Sequence, residues 1–441
     1  MEPLSSPPSA ATQLVYGLEA KLPLGSALLV SLQQVAAMVV GVVTPALLLS
    51  NILHFPAADT AYLVSMALVA AAVGTWLQTT RVGPIGSGLL SVTGTSFAFL
   101  QPLIQAGTAG GLPLMLGMSL ATAPVQLILA PFLPSLRRVF TPLVSGIVVV
   151  LIGLSIIPEA MRGIVAPAGP GAPAWAGGAI AAVVIAAVLI AQAIGRPATR
   201  MAGILCGVVA GYVTCALCGY LRWPPPVEHP VALPRLFPFS LTFQWKFFVP
   251  FAFIYVVSLL EAMGDMTATS QLSGLRTDGP EHWARLRRGV LADGVASIFA
   301  AAIGSFPSTT YAQNNGVIQI TGVASRHIGK FMAAFLLLLG LFPVVARWVT
   351  AMPPAVLGGM ALLLFGLVAV AGLRLIAAAG LSHRNALIVA LSFGVGLGVP
   401  TQTEWLAALP SLAGTLLSSG IAGGGITALV LNLALPSPNR D

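Results

Sequence analysis

Two acidic side chains and a pair of amides stand out in this chain because each lies within a very apolar stretch. Glu261 and Asp265 are four residues apart, and Gln313 and Asn314 follow in a later apolar segment. Residues four apart share one face of a helix. Hydrocarbon cannot satisfy such groups, so they must face protein or a water-filled cavity. The pattern therefore predicts a polar binding site at membrane depth, where side chains bind a polar solute and exchange protons.

The carboxylates have two possible roles. Two like charges in a poorly solvated place disfavour ionisation of both, so one of Glu261 and Asp265 is expected to hold a proton near neutral pH. The alternative is a structural carboxylate that pairs with backbone or with an arginine. Asp293 is a third acidic residue in apolar sequence. It either contributes to proton coupling or caps and braces the neighbouring segment.

The segment that carries the amides is not expected to be one regular helix. Pro307 discourages helix at Phe306, and the Ser/Thr/Tyr run that follows favours an extended piece. Asn314 or Asn315 would cap the helix that comes next. The chain then enters as a short strand and turns into a half-helix whose N–H groups point at a ligand. The segment around residues 94–102 can do the same.

Two aromatic residues lie next to these breaks. Phe97 and Tyr311 can stack on a flat ring, although Tyr311 could equally pack between helices. The amides of Gln313 and Asn314 also have a structural alternative, in which they only join helices by hydrogen bonds.

The composition sets the class of protein that holds these residues. The chain has 441 residues, of which 57% are hydrophobic and 7% charged, and soluble domains carry about 25% charged residues. A multi-span helical membrane protein is predicted. The net charge of +8 does not indicate nucleic-acid binding, because the basic residues lie in loops. Three cysteines in one apolar segment, at positions 206, 215 and 218, are expected to be packing residues.

Fourteen apolar segments can be recognised, and the third, ninth and tenth are short or interrupted. They cover residues 26–51, 59–78, 88–106, 111–133, 141–161, 175–194, 201–221, 247–270, 289–304, 306–323, 329–349, 354–379, 385–402 and 410–435. With the N-terminus inside, 15 of the 20 lysines and arginines fall on the inside and 5 outside, as the positive-inside rule requires. A Pro-rich connection, residues 223–246, separates seven segments from seven, which predicts an inverted repeat.

The motifs resemble those of the nucleobase–ascorbate transporter family, also called nucleobase:cation symporter-2. The run Gln313-Asn314-Asn315-Gly316, with Thr321, resembles the family signature, and its surroundings resemble the xanthine/uric acid permease branch. Three further stretches, at residues 261–265, 291–294 and 94–97, are similar to the motifs of the eighth, ninth and third spans.

The resemblance implies an all-α integral membrane protein with fourteen spans in two inverted seven-span repeats, and with short strands in spans three and ten. Core parts at 26–134 and 247–350 would carry substrate against gate parts at 135–222 and 351–436. Short tails, 1–25 and 437–441, would be cytoplasmic, in a multi-pass protein of the bacterial inner membrane. The gate parts would form a homodimer.

The resemblance also implies roles for individual residues. Glu261 and Gln313 would hydrogen-bond the nucleobase, and Phe97 would stack on it. Ser96 falls where the preference for xanthine or urate is tuned. Binding or proton coupling would be supported by Asn314, Ala312, Asp265, Asp293 and Gln34. Many relatives carry a Gln-His pair in the first span, and here Gln34 replaces the histidine and cannot be charged.

The predicted function is import of a purine nucleobase, xanthine and/or uric acid, by proton symport with elevator-type alternating access. No cofactor is expected beyond the proton, and the partners are the base, the lipid bilayer and a second copy of the chain. The alternatives are a permease for uracil or another nucleobase, and an anion transporter of the same fold, which would need a positively charged site. An ion channel is a further alternative. A membrane enzyme is disfavoured, because no histidine cluster or nucleophile motif lies at membrane depth.

Overall fold

A computed structural model describes residues 14–135, 141–169, 171–194, 203–221, 231–342, 346–348 and 351–435. Most of the predicted N-terminal tail, part of the Pro-rich connection, the start of the seventh segment and the C-terminal tail lie outside these residues.

The described residues of the first half form helices, 3-10 turns and one short strand. Its elements are α1 (Leu24–Ile52), α2 (Ala57–Thr80), β1 (Thr93–Thr95), a 3-10 turn (Phe97–Phe99), α3 (Leu100–Thr122), α4 (Pro124–Leu129), a second 3-10 turn (Ala130–Phe132), α5 (Pro142–Val165), α6 (Ala176–Ala193) and α7 (Gly203–Leu217). Helix α3 bends at Gly110 and Gly111, which have non-helical backbone angles. The bend lies at the predicted boundary between the third and fourth apolar segments.

The second half repeats this mixture of long helices and one strand. Its elements are α8 (Trp245–Leu272), α9 (Gly279–Ala302), β2 (Ser308–Thr310), α10 (Gln313–Thr321), α11 (Ile328–Leu341), α12 (Pro354–Ala379), α13 (His383–Phe393), α14 (Thr403–Ala407), α15 (Ser411–Ser418) and α16 (Gly420–Ala434). Helix α13 continues as a π turn and a 3-10 turn to Thr401.

Eight helical stretches in the described residues are long and apolar enough to cross a membrane. They are Leu24–Ile52, Ala57–Thr80, Phe97–Ser135, Pro142–Val165, Ala176–Ala193, Trp245–Leu272, Pro354–Ala379 and His383–Thr401. Helices α7, α11 and α16 are apolar but shorter. The chain is an integral membrane protein, and the number of fourteen spans stays a prediction.

The ninth segment, predicted to be short or interrupted, is the second part of a longer helix, and this helix is not among the eight candidate spans of the described residues. Helix α9 runs unbroken through 24 residues and begins ten residues before the apolar stretch at 289. Its first turns contain Glu281 and three arginines, so hydrophobicity alone could not locate its start. Asp278 and Gly279, followed by a proline in the first turn, mark the beginning of the helix instead.

Strands β1 and β2 form a two-stranded antiparallel ladder, in which Gly94 lies opposite Thr309. All six strand residues are buried. Extended backbone in an apolar interior needs partners for its N–H and C=O groups, and the two strands supply them to each other. The Ser297 hydroxyl of α9 also donates to the Ser308 carbonyl and accepts from the Ser308 N–H. The ladder joins the two halves of the chain at a buried point.

A segment near the N-terminus is hydrogen-bonded to the C-terminal end of α10. The N–H groups of Val15 and Tyr16 donate to the carbonyl of Gly322, the left-handed residue that ends α10. Arg326 forms a salt bridge with Glu19, at 2.9 Å. The half-helix is therefore fixed at both ends, by β2 before it and by this segment after it.

Helices α5 and α12 pack closely because glycines line their contact. A Cβ at Gly153 would lie 2.6 Å from the Phe365 carbonyl oxygen, and one at Gly372 would lie 2.6 Å from the Val150 nitrogen. Small residues permit such close backbone approach in membrane proteins. The contact joins the two parts of the chain that were predicted to form the gate.

Candidate substrate site

The paired strands position the two half-helices. Helix α3 starts just after β1, and α10 starts just after β2. Because the strands are antiparallel, the two helices begin at opposite ends of the ladder. Unpaired N–H groups and the positive dipole end occur at helix N-termini, so both starts can stabilise polar groups of a ligand.

Phe97 and Tyr311 lie next to this ladder and face each other. Their ring centroids are 6.1 Å apart with an interplanar angle of 21°, and Phe365 of α12 meets Phe97 edge-on at 5.2 Å. The Tyr311 hydroxyl donates to the carbonyls of Gly41 (3.1 Å) and Thr95 (2.9 Å). Tyr311 is buried and braces α1 against β1, whereas Phe97 is half-buried between the proposed core and gate parts.

The acidic residues predicted on one face of α8 do lie on an accessible face. Glu261 and Asp265 are half-buried, and Gly264 between them is exposed. Glu261 is close enough to interact electrostatically with Asp265, Asp293 and Tyr311. Within the described residues, no Lys, Arg or His lies at salt-bridge distance from these three carboxylates. The arrangement can accept hydrogen bonds and a proton, and it has little to offer an anion.

Asp293 is fully buried on α9 and has a fixed partner. One of its carboxylate oxygens accepts a hydrogen bond of 2.8 Å from Gln78 Nε2. The same nitrogen donates to the Gly289 carbonyl at 2.8 Å, and Gln78 Oε1 accepts from the Ser87 N–H. Gln78 thus joins α2, α9 and the connection before β1. Sequence reasoning missed this residue, although an amide near the end of an apolar span is a signal of this kind.

Replacing Gln78 with alanine is expected to slow transport about tenfold, since losing a hydrogen bond to a charged group costs about 1.5–3 kcal/mol. The Asp293 carboxylate, the Gly289 carbonyl and the Ser87 N–H would all lose a partner. Gln126 is the matched control, because it is a buried glutamine whose amide atoms have no partner among the described residues. The measurements are initial uptake rates and thermal unfolding midpoints. Equal losses in Gln78→Ala and Gln126→Ala would contradict a specific role for Gln78.

The amides of α10 divide between two environments. Ala312 and Gln313 are exposed, whereas Asn314 is buried and donates to the Leu90 carbonyl. Asn315 Oδ1 accepts from the Thr269 hydroxyl of α8 at 2.6 Å. The prediction that Asn314 or Asn315 caps the helix is wrong, because Ala312 is the N-cap and no side chain caps it. Both asparagines already lie in the first turn and join neighbouring elements, while Gln313 is left on the accessible side.

Ser96 and Gln34 are fully buried polar residues. The Ser96 N–H donates to the Pro307 carbonyl at 2.8 Å, which extends the ladder by one bond. The Ser96 hydroxyl and both amide atoms of Gln34 have no hydrogen-bond partner within the described part of the chain. Gln34 lies on α1, which contacts both β1 and α10.

Comparisons with known proteins show the family to which this chain belongs. The family model Xan_ur_permease, described as "Permease family", matches residues 25–405. Xanthine permease XanQ of Escherichia coli strain K12 is 40% identical over 450 residues, which cover 98% of this chain and 96% of XanQ.

Two solved structures share the fold. The inward-facing structure of the murine anion transporter Slc26a9 matches with a TM-score of 0.62 at 14% identity, covering 98% of this chain and 73% of that one. The transmembrane domain of the cyanobacterial bicarbonate transporter BicA gives 0.58 at 14% identity, with 93% and 99% covered.

Proposed function

We propose, because this chain belongs to the Xan_ur_permease family, that it imports a purine nucleobase, xanthine and/or uric acid, across the membrane. Membership of a permease family makes the chain a transporter rather than an enzyme. One observation supports this choice of substrate. The side chains of the site are uncharged or acidic, and aromatic rings lie next to them. The 40% identity to a xanthine permease over nearly the whole chain supports the same choice.

The chemistry of the site suits a flat base with donors and acceptors on its edge. Glu261 accepts N–H groups of the base, and the Gln313 amide both donates and accepts. Phe97 stacks on the ring face. A site that pairs each polar edge rejects analogues that lack one of these groups by orders of magnitude.

Other residues support these contacts. Asn314 holds α10 against the connection before β1, and Asp293 holds α9 against α2, through their buried hydrogen bonds. Asp265 shares the accessible face of α8 with Glu261. The selectivity between bases is assigned to Ser96, beside the start of α3, and Ala312 lines the approach to Gln313. Gln34 is assigned a supporting role that does not involve charge.

Transport is proposed to be coupled to protons. Glu261 or Asp265 takes up a proton from outside, and the base then binds. The core, residues 26–134 and 247–350, moves past the gate, residues 135–222 and 351–436. Proton and base then leave on the inside. The close glycine packing of α5 on α12 supports a rigid gate, and the ladder between β1 and β2 supports a core that moves as one body.

We place the protein in the bacterial inner membrane with both termini in the cytoplasm, on the strength of the positive-inside count. The proposed architecture has fourteen spans in two inverted repeats, and two copies associate through their gate parts.

The decisive experiment measures uptake of labelled xanthine by the purified protein in proteoliposomes. We expect accumulation when the outside is more acidic, and loss of accumulation when an uncoupler is added. Unlabelled xanthine, urate, guanine and uracil are then compared as competitors. Unchanged accumulation after uncoupling would contradict symport, and strong competition by uracil alone would favour a uracil permease.

Anion transport is the second candidate, because the two solved structures of similar fold are anion transporters. At 14% identity they support the fold alone. The acidic residues near the ladder argue against bicarbonate or sulfate as substrate, since a small inorganic anion needs positive charge at its site and none lies at salt-bridge distance from these carboxylates in the described residues. Uptake of labelled bicarbonate and sulfate in the same proteoliposomes tests this candidate directly.

A further inference from the structure

Three arginines cluster at the end of α2 and the beginning of α9, away from the substrate site. Arg285 and Arg288 are three residues apart on α9 and share a face. Arg81 directly follows α2. The charges of Arg81 and Arg288 both act on Arg285, and the charge of Arg288 also acts on Arg81. Like charges in one place repel, so the cluster raises the free energy of the folded protein unless something compensates it.

Arg285 is buried, Arg288 is half-buried and Arg81 is exposed, and the two arginines of α9 have buried donors without partners. Arg285 is only 8% exposed. Its Nε and Nη1 atoms, and Nε of Arg288, have no hydrogen-bond partner in the described residues. The negative charge of Glu281 acts on Arg285, but no salt bridge joins the two side chains. A buried donor without a partner destabilises the folded protein, and a charged donor does so more strongly.

The backbone around the cluster is built to bring the arginines together. Arg81 has a left-handed backbone angle, φ 53°, which is uncommon for a residue with a side chain. The Gly86 N–H donates to the Arg288 carbonyl at 2.9 Å and ties the connection after α2 onto α9. A Cβ at Gly88 would lie 2.3 Å from Arg81 Nε, so the Arg81 side chain lies directly against the backbone of the loop.

We propose that Arg81, Arg285 and Arg288 form a binding site for a phosphate group. Arginine suits phosphate because its planar fork of N–H donors matches the phosphate oxygens and keeps its charge. In the predicted orientation this end of α2 and α9 lies at the cytoplasmic surface of the membrane. Two sources can supply the group there, the head group of an anionic phospholipid and free phosphate.

The site would also stabilise the core. Arg288 precedes Gly289, whose carbonyl accepts from Gln78, the residue that holds Asp293. A phosphate at the arginines thus stabilises the segment of α9 on which that network depends.

The test uses the full-length protein in nanodiscs of phosphatidylcholine, a lipid whose phosphate is neutralised by its own choline cation, and measures the thermal unfolding midpoint. In one arm, part of the lipid is replaced by phosphatidylglycerol. In the other, inorganic phosphate is added to phosphatidylcholine nanodiscs and compared with chloride at equal ionic strength. The variants are Arg285→Gln and Arg81→Gln. Arg287→Gln is the matched control, because it makes the same charge change on an exposed position of the same helix.

We expect the midpoint of the unaltered protein and of Arg287→Gln to rise with the phosphate source. Arg285→Gln should bind that source about tenfold more weakly, the factor that corresponds to one lost charged hydrogen bond. In phosphatidylcholine alone this variant should be at least as stable as the unaltered protein, because a repulsive buried charge is gone. Arg81→Gln is the second variant, and it should also weaken binding of the phosphate source. Because Arg81 is exposed, this variant can still be measured if Arg285→Gln does not fold.

Each outcome decides the question. A response to phosphatidylglycerol alone assigns the site to a lipid head group, and a response to inorganic phosphate assigns it to the free anion. The proposal is overturned if neither source raises the midpoint, if Arg285→Gln and Arg81→Gln respond as strongly as the unaltered protein, or if Arg287→Gln loses the response as fully as Arg285→Gln.

Discussion

Replacement of Glu261 by glutamine is expected to abolish concentrative uptake of the nucleobase. Glutamine keeps the length of the side chain but has no group that takes up a proton. Its amide keeps one acceptor oxygen but replaces the other with an NH2 donor, where the carboxylate offered two acceptors. Loss of a hydrogen bond to a charged group costs about 1.5–3 kcal/mol, or roughly ten- to hundredfold in uptake efficiency before the loss of coupling is counted.

The structure distinguishes Glu261 from the other acidic residues at membrane depth. Asp293 is fully buried and is held by Gln78, so its first role is to fix helices. Glu261 is half-buried on the accessible face of α8, and its charge acts on Tyr311, two residues before Gln313. A carboxylate that has no fixed basic partner can take up and release a proton, and it can also contact a ligand.

The measurement compares two assays in proteoliposomes. Accumulation against a gradient requires coupling, whereas exchange of labelled for unlabelled xanthine at equilibrium requires only binding and movement. Accumulation should fall to the level of empty vesicles, and exchange should fall less. Glu404→Gln makes the same chemical change at an exposed position of α14 and should behave like the unaltered protein. Accumulation at the normal level in Glu261→Gln would remove Glu261 from the mechanism.

Local chemistry accounts for what the sequence could predict of the site. A proline and a Ser/Thr run require a break before Gln313, and the structure has strand Ser308–Thr310 at that point. The four-residue spacing of Glu261 and Asp265 places them on one face of α8 in the structure too. These predictions depend on neighbours in the chain, which the sequence displays directly.

The predictions that failed depend on partners far along the chain. Asparagine is a common N-cap residue, so the sequence favours Asn314 as the cap. In the structure its amide instead donates a hydrogen bond to the carbonyl of Leu90, 224 residues away. The role of Gln78 depends on Asp293, 215 residues away. The polar start of α9 escaped a search for apolar runs, because it contains Glu281 and three arginines, one of which, Arg285, is buried against other parts of the protein. Tertiary contacts decide such cases, and they leave no local pattern.

Replacement of Gly94 by alanine is expected to impair transport although the position carries no chemistry. A Cβ at Gly94 would lie 2.7 Å from Tyr311 Cζ and 2.8 Å from its hydroxyl oxygen. The ring cannot swing away freely, because its hydroxyl is bonded to the carbonyls of Gly41 and Thr95. Overpacking of this kind costs about 1–3 kcal/mol, so a loss of about tenfold in uptake rate is expected. The displaced ring would also change its contact with Phe97.

A double-mutant cycle separates this clash from a general loss of stability. In a Tyr311→Ala background the added methyl group has space, so Gly94→Ala should cause little further loss. Gly366→Ala on α12 is the matched control, because nothing lies within 4 Å of the Cβ it would add. Uptake rates are measured at equal amounts of protein in the vesicles. If Gly94→Ala transports as well as Gly366→Ala, or is equally harmful with and without the tyrosine ring, then the position of Tyr311 does not control the site. If the cycle shows coupling, the ladder between β1 and β2 shapes the substrate site through one aromatic ring.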